Sequence, residues 1–316
     1  MNSIKNLFPY IKDEEFIYIQ THNFPDHDAV ASGFGLQYLL KQEGIKSRLI
    51  YEGTIQRESL VALIDKLAIP IKPAKVFPIK AEDKIVIVDG CKGNKNVMDL
   101  IGDEVAVIDH HEVTSPEDVE FSDIRPEYGA CSTLIFKYFK ELGHPIPPDI
   151  CTALLCGLNV DTLQLSRGVC EADVEAYAGL YTGANVNFVN SILRNSIQVK
   201  DLDFYKSALA KVVIRDRFAF CYFEEGCNQN LMGILGDFFL SLQEVDFVFL
   251  CARNNAQVNF SLRSEVKKWN SALIIQGMLK GIGFGGGHAD MAGGIIKDLS
   301  LFNEQDLLKR LNELLL

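Results

Sequence analysis

Eight residues of types that bind divalent cations or move protons stand in short groups along this chain. They are His22, Asp26 and Asp28 in HNFPDHDAV, Asp89 in KIVIVDG, Asp109, His110 and His111 in VAVIDHHEV, and Asp161 in LLCGLNVDTLQL. Any one such Asp is often only a turn former or a helix cap. Together they make a different case. Five carboxylates and three histidines in one pocket would repel one another unless cations sat between them. A mixed Asp/His set suits a divalent ion such as Mn²⁺, which accepts both ligand types. So many donors point to two ions. A two-ion site holds its ions about 3.5–4 Å apart, lowers the pKa of a water and clamps a phosphate. One carboxylate normally has to bridge.

A second group lies late in the chain, in GIGFGGGHADMAGG at 281–294. Consecutive glycines let a backbone approach an anion and turn its N–H groups inward. SLRS at 261–264 precedes it, and Arg263 is suited to a paired contact with phosphate. Arg263, Ser264, Gly286, Gly287 and His288 are therefore the candidate substrate-binding residues. The bland alternative is a flexible loop or helix-capping turn. No Gly-Lys-Ser/Thr follows, so this is not a Walker loop, nor does it open a dinucleotide-type strand–helix unit.

These groups need elements to bring them together. Residues 16–21, 46–51, 84–89 and 105–109 are short continuous apolar runs that read as buried strands. Helical patterns cover 29–42, 127–142, 149–160, 171–183 and 186–194. That alternation predicts an α/β fold with a parallel sheet covered on both faces. Ligands gather outside the carboxyl ends of such strands. Three of the groups end strand-like runs, so they converge there. Alternation along a strand puts Asp109 and His111 on one side and His110 on the other. The rhythm lapses in NSIQVKDLDFY, where the linker is placed. Beyond it lie a hairpin at 211–224, a helix at 229–242, strands at 246–252 and 257–262, and a helix at 270–279.

Composition bounds the rest. The 316 residues suit one large or two ordinary domains, and 48% hydrophobic with 23% charged residues is a globular balance. Lys plus Arg total 31 against 42 Asp plus Glu, for a net charge of −11. With no basic run, a long nucleic-acid duplex is excluded as a partner. A small anion remains open if bound ions supply positive charge. Eight cysteines without a CxxC pair read as reduced thiols in a cytoplasm. The N-terminus carries no apolar core of signal-peptide length, and no stretch suits a membrane span. His144, Trp269, Arg125, Tyr128 and Arg167 take ordinary structural readings.

The motifs resemble a known family, the DHH phosphoesterases. HNFPDHDAVAS is similar to its first motif, His-x-x-Pro-Asp-x-Asp-Ala. Asp89 in VIVDG resembles the second motif, IDHH the third and Asp161 in NVDT the fourth. SLRS followed by GGGHADMAGG resembles the DHH-associated C-terminal domain. The likeness spans nearly the whole chain. Its length and plan resemble the nanoRNase branch, oligoribonucleases that degrade very short RNAs, some also removing the 3′-phosphate of phosphoadenosine phosphate.

The resemblance implies an N-terminal parallel-sheet DHH catalytic domain over 1–195 with helices on both faces, a linker at 196–205, and a smaller C-terminal α/β DHH-associated substrate-binding domain over 206–316. It implies one ion on His22, Asp26 and Asp89, and a second on Asp28, Asp89, His110 and Asp161, with Asp89 as the bridge. Asp109 would orient a neighbour. His111 would face the scissile phosphate, stabilising charge or protonating the leaving oxygen. The ions would be Mn²⁺, with Mg²⁺ or Co²⁺ as alternatives.

The substrate would be a short oligonucleotide or dinucleotide, with no membrane partner and a homodimer left open. Rival readings are a cyclic- or linear-dinucleotide phosphodiesterase, a RecJ-like exonuclease (usually a longer chain) and a non-catalytic nucleotide-binding regulator. The glycine-rich tail argues against a pyrophosphatase. Two departures stand out. His27 replaces the usual glycine between the first-motif aspartates, pointing either to solvent or into the metal site. DTLQLSRG replaces the common Asp-Thr-Gly-x-Phe, so an aromatic is missing from that wall.

Overall fold

The computed structural model describes residues 3–55, 57–194 and 197–315. The chain divides into two compact units, residues 1–196 and 197–316. The first unit contains strands β1 (Ile17–Gln20), β2 (Ser47–Tyr51), β3 (Lys72–Pro73), β4 (Lys84–Val88), β5 (Asp103–Asp109) and β6 (Phe121–Ile124). They form one sheet in the order β3-β2-β1-β4-β5-β6, every pair parallel. Its helices are α1 (Phe8–Ile11), α2 (His27–Gln42), α3 (Glu58–Leu67), α4 (Cys131–Leu142), α5 (Pro148–Asp161), α6 (Glu171–Tyr181) and α7 (Val186–Arg194).

The parallel sheet matches the expectation from the apolar runs, but its two faces are covered differently. One face, carrying Ile17, Ile19, Leu49, Val86, Val88 and Ile108, packs into a core with residues of all seven helices. The other face, carrying Tyr18, Ile50, Ile85, Ile87 and Val107, packs against Ala74, Cys91, Val97, Phe77, Leu100, Val113 and Val119. Those residues lie in a 3-10 turn and in connecting loops. Helices on both faces is therefore corrected to helices on one.

The cause is the handedness of parallel crossovers, which is right-handed almost without exception. Steps from β1 to β2 to β3 run one way across the sheet and carry α2 and α3 on the first face. Steps from β3 to β4, β5 and β6 run the other way and so fall on the second face. The connecting stretches there are short and broken by Pro78, Gly90, Gly93, Gly102 and Pro116, which leaves no room for a helix.

The second unit contains α8 (Leu202–Lys211), β7 (Val213–Arg215), β8 (Phe218–Phe223), α9 (Gln229–Leu240), β9 (Phe247–Asn254), β10 (Gln257–Ser264), α10 (Ser271–Leu279), β11 (Phe284–Gly287), β12 (Met291–Ile296) and α11 (Glu304–Leu315). Its sheet has the order β11-β12-β10-β9-β8-β7. Only the β8–β9 pair, bridged by α9, is parallel. Here helices do cover both faces. Residues of α8 and α9 meet Ala219, Cys221, Val248 and Leu250, while α10 and α11 meet Phe249, Phe260 and Leu262. Residues 199–201 and 202–205 of the expected linker form a 3-10 turn and the start of α8; residue 196 lies outside the described residues. The glycine-rich stretch is no loop: Phe284–Gly287 is an edge strand hydrogen-bonded to β12.

All eight cysteines are free. Among the described residues no helix is long and apolar enough to cross a membrane.

Helices α2 and α5 pack closely because small residues face each other. A Cβ on Gly157 of α5 would lie 2.7 Å from Asp28 Oδ1 and 2.9 Å from Asp28 Cα. Neither can retreat, since Asp28 sits in the first turn of α2 and is fully buried. Gly157→Ala is therefore expected to cost about 1–3 kcal/mol by overpacking. Urea denaturation reads it, and unchanged stability would show that the two helices can separate freely.

Candidate metal centre

The order of the first sheet reverses between β1 and β4, and the loops there split to either side. Ligands bind at such switch points, beyond the carboxyl ends of the strands. β1 delivers His22, β4 delivers Asp89, and β5 delivers Asp109, His110 and His111. Asp26 is the N-cap of α2, its Oδ1 accepting from the amides of Asp28 and Ala29 at 3.0 and 3.1 Å. Asp161 ends α5. All eight sequence candidates of this unit thus fall at one end of the sheet.

Asp89 sits at the centre. Its Oδ2 lies 3.7 Å from His22 Nε2, and its Oδ1 lies 3.4 Å from His110 Nε2. The backbone of Asp89 is left-handed, φ 56°, which Asp tolerates better than most residues. That turn comes as the strand ends, where the Asp89 amide still donates to Ile108 O. Around Oδ2 gather His22 and Asp26, whose Nε2 and Oδ1 are 3.8 Å apart. Around Oδ1 gather His110, Asp28 and Asp161, with His110 Nε2 at 4.0 Å from Asp28 Oδ2 and 3.4 Å from Asp161 Oδ2. Asp89 is the member shared by both groups.

The residues fit two divalent ions on three counts. Two donors about 2.1 Å from one ion sit about 3.0–3.5 Å apart, a spacing this set approaches. Asp89 Oδ1 is buried and accepts no hydrogen bond, an arrangement that is costly without a cation nearby. Both histidines also have their tautomers fixed. His22 Nδ1 is 2.9 Å from Asn23 O, and His110 Nδ1 is 3.1 Å from Tyr128 O. Each carbonyl accepts a hydrogen bond from the Nδ1–H and leaves Nε2 turned to the carboxylates, as ligating histidines require.

Asp28 is held from behind. Its Oδ2 accepts from Cys131 N at 2.6 Å, and its Oδ1 from Ser132 N at 3.0 Å and from the Ser132 hydroxyl. These donors form the first turn of α4, where amides are unsatisfied and negative charge is favoured. Sequence reasoning missed them because it began that helix at 127 rather than 131. Gly-Ala-Cys-Ser, small residues at a helix start, was the available signal. It missed Asn23 O and Tyr128 O as well, because backbone carbonyls leave no mark on residue type.

Asp109 gathers three neighbouring donors on one oxygen. Its Oδ1 accepts from His110 N at 2.8 Å and His111 N at 3.2 Å, and lies 2.7 Å from His111 Nδ1. The expected strand alternation does not hold past Asp109, however. The two imidazoles lie together, centroids 4.6 Å apart. β5 ends at Asp109, and the Asp109 carboxylate gathers both following amides into a turn, so a strand rule no longer applies.

His27 does neither of the things expected of it. It is buried, and its Nε2 lies 3.1 Å from the Ser59 hydroxyl on α3. Burial and the Arg57 charge push its pKa down to about 4, so it stays neutral. In DTLQLSRG, three successive residues are left-handed, with φ 47° at Leu163, 58° at Gln164 and 64° at Leu165. Leu163 stands where glycine is common, and the backbone there is one glycine favours. Leu165 occupies the aromatic's place and packs against the core.

The second-unit candidates lie on the two strands that flank β12 in that unit's sheet and in the turn beside them. Arg263 is 11% exposed, its Nε 2.6 Å from Asp237 Oδ1 and its Nη1 2.9 Å from Leu262 O. Ser264 is buried, its hydroxyl closing a turn with Val266. Gly286 and Gly287 pair with Gly293 and Ala292 in the edge hairpin, and His288 N donates to Met291 O. Arg263 already carries a carboxylate partner instead of facing an anion site alone.

Charge crowding shows in the protonation. Burial raises Asp28, and Asp89 and Asp161 raise it further. Burial, then Asp26, raises Asp161. Burial presses His22 down, but Asp26 and Asp89 outweigh it and lift the pKa to about 10. Burial presses His110 down too, and Asp161 with Asp89 carries it well up. Without cations, protons serve as the counterions.

Family models match both units of the chain. Residues 16–158 match the model of the DHH family N-terminal domain, and residues 215–316 match the DHHA1 domain. An uncharacterised protein of Methanocaldococcus jannaschii is 27% identical over 301 residues, covering 93% of this chain and 61% of that protein. A Streptococcus thermophilus protein described as a probable manganese-dependent inorganic pyrophosphatase is 31% identical over 166 residues, covering 51% of this chain and 53% of that one. This chain thus spans little more than half the length of either relative. A crystal structure of an exopolyphosphatase-related protein from Bacteroides fragilis superposes with a TM-score of 0.78 at 18% identity, over 99% of this chain and 97% of that one, which shows a shared fold.

The geometry predicts the behaviour of the metal site. Mn²⁺ should raise the thermal unfolding midpoint of the wild type, because binding stabilises only the folded state. It should also release protons near neutral pH, since raised groups on His22 and His110 must give theirs up. Asp89→Ala should abolish both effects by removing the shared ligand. Full Mn²⁺ stabilisation of that variant, read by calorimetry, would sink the bridging assignment.

Proposed function

Because the chain belongs to the DHH family, with its N-terminal domain followed by a DHHA1 domain, we propose that it is a metal-dependent phosphoesterase cleaving phosphodiester bonds in very short oligonucleotides. The observation that carries this reading is the shared position of Asp89 between two donor groups, one around His22 and one around His110. The similarity to a probable manganese-dependent pyrophosphatase supports Mn²⁺ as the ion. Removal of the 3′-phosphate of phosphoadenosine phosphate is a further reaction of the same chemistry.

Two divalent ions, when bound, would activate water and neutralise the charge that develops on the phosphoryl oxygens. His22, Asp26 and Asp89 would hold one; Asp28, Asp89, His110 and Asp161 the other. The remaining steps belong to side chains. Asp109 fixes the His111 ring through Nδ1, which directs Nε2 to act on the phosphate or the leaving oxygen. His111 remains 28% exposed on its side chain, so a substrate can reach it. Burial lowers its pKa, but Asp109 outweighs burial and raises it, which keeps a proton available for the leaving group. In the second unit, Arg263, Ser264, Gly286, Gly287 and His288 are the substrate-binding residues of this reading. Arg263 would bring its Asp237 partner with it.

Hydrolysis of inorganic pyrophosphate is the competing specificity, and the similarity behind it covers only about half of each chain. A length series of labelled oligonucleotides with Mn²⁺, from dinucleotides upward, tests the reading beside pyrophosphate, phosphoadenosine phosphate and a cyclic dinucleotide. Turnover should be fastest on the shortest linear substrates. Preference for pyrophosphate, or for long strands, would overturn it. Within that assay His110→Ala should lower Mn²⁺ affinity, whereas His111→Ala should cut kcat by about 10²–10⁴-fold with Mn²⁺ still bound. Equal metal loss in both variants would show the division between the two histidines to be wrong.

A further inference from the structure

Between the ligands His22 and Asp26 stands an aromatic residue that metal binding does not need. Phe24 is 54% exposed, an unusual state for a large apolar side chain. Its backbone is left-handed, φ 56°, in a residue with a bulky side chain and a proline after it. Such strain persists only where surrounding structure enforces it, and it clusters at functional sites.

The enforcement is visible. Asn23 N donates to Asn96 O at 2.6 Å, Asn23 Oδ1 accepts from Met98 N at 3.1 Å, and Phe24 N donates to Glu52 O at 2.8 Å. The motif loop is thus pinned to two neighbouring loops, one on either side. The ring itself rests on Gly53. A Cβ there would lie 2.7–3.0 Å from Cγ, Cδ1 and Cε1 of Phe24, so only glycine lets the ring settle. Packing alone would have buried the ring. This arrangement supports one part of it from below and keeps the rest in solvent, two residues from a metal ligand on each side.

We propose that Phe24 is a stacking platform for a nucleobase of the substrate, presented beside the ion held by His22 and Asp26. This rests on the oligonucleotide reading above and deepens it: the substrate must carry a planar base next to the scissile phosphate. A π-face accepts any base, so the platform selects nucleotides over bare phosphates without selecting sequence.

The test uses the full chain with Mn²⁺, a 5′-phosphorylated diadenylate and its doubly abasic counterpart. A diadenylate whose bridging ester oxygen is replaced by methylene keeps the phosphoryl charge, resists hydrolysis and reads equilibrium binding without turnover. Phe24→Ala should raise KM for the diadenylate and Kd for the analogue about tenfold, the scale of one lost stack. The KM for the abasic compound and the Mn²⁺ content should not change, and Phe24→Trp should restore the wild-type values.

Unchanged KM and Kd for the base-bearing ligands would overturn the platform. So would equal losses on abasic and base-bearing ligands, or lost Mn²⁺, since either makes Phe24 a structural part of the loop. A wild type that binds the analogue in a Phe24-dependent way yet cleaves no diadenylate would leave the platform standing and sink the hydrolytic reading. A wild type that neither binds the analogue nor cleaves the diadenylate overturns both.

Discussion

Carboxylates held within a few ångströms of one another, out of water, cannot all stay ionised unless positive charge stands among them. The first unit is arranged around that constraint. Asp28, Asp89 and Asp109 are buried at the carboxyl end of one sheet, with Asp26 and Asp161 at the rim. A hydrophobic replacement would pack there at lower electrostatic cost. The cluster therefore makes physical sense as a cation site, and the surrounding elements are fixed by what the cluster requires.

Those requirements are met by backbone as much as by side chains. Asp28 is placed against the first-turn amides of α4, which ties the second donor group to that helix and leaves only glycine space at Gly157. The carbonyls of Asn23 and Tyr128 set the imidazole tautomers. Asp109, whose Oδ1 is bonded to two amides and one imidazole, organises the turn after β5. One carboxylate thus orients while another, Asp89, faces both donor groups. Residue type alone does not distinguish them, because the difference lies in which amides each can reach.

This explains what was legible in the sequence. Continuous apolar runs are a strong signal for buried parallel strands, so β1, β2, β4 and β5 could be read, and with them the residues at their ends. The second face of the sheet could not be read, since its cover is loop, and loops carry no period. β6 was hidden for a related reason: FSDI alternates over only four residues. The glycines of β11 look like a loop because glycine is rare in strands, yet an edge strand with a close helix beside it accepts them; a Cβ on Gly285 would lie 2.6 Å from Ile275 of α10. Arg263 was legible as a phosphate-binding type, but its pairing with Asp237 depends on α9 lying over that face of the sheet.

The departures from the familiar motifs follow the same logic. A glycine between the first-motif aspartates is small and leaves the start of α2 unencumbered. His27 can replace it only because the chain supplies a separate place for the ring, against Ser59, with a low pKa that spares the site another charge. Leu163 replaces a glycine whose conformation it must still adopt, and the two residues after it share the strain. The turn is held by Gln164 N on Asn159 O and Leu165 N on the Thr162 hydroxyl, so the last turn of α5 keeps its geometry and Asp161 keeps its position. In both places the backbone that positions a ligand is preserved while the side chain beside it is free to vary. The metal centre constrains the path of the chain more tightly than the identity of the residues along it.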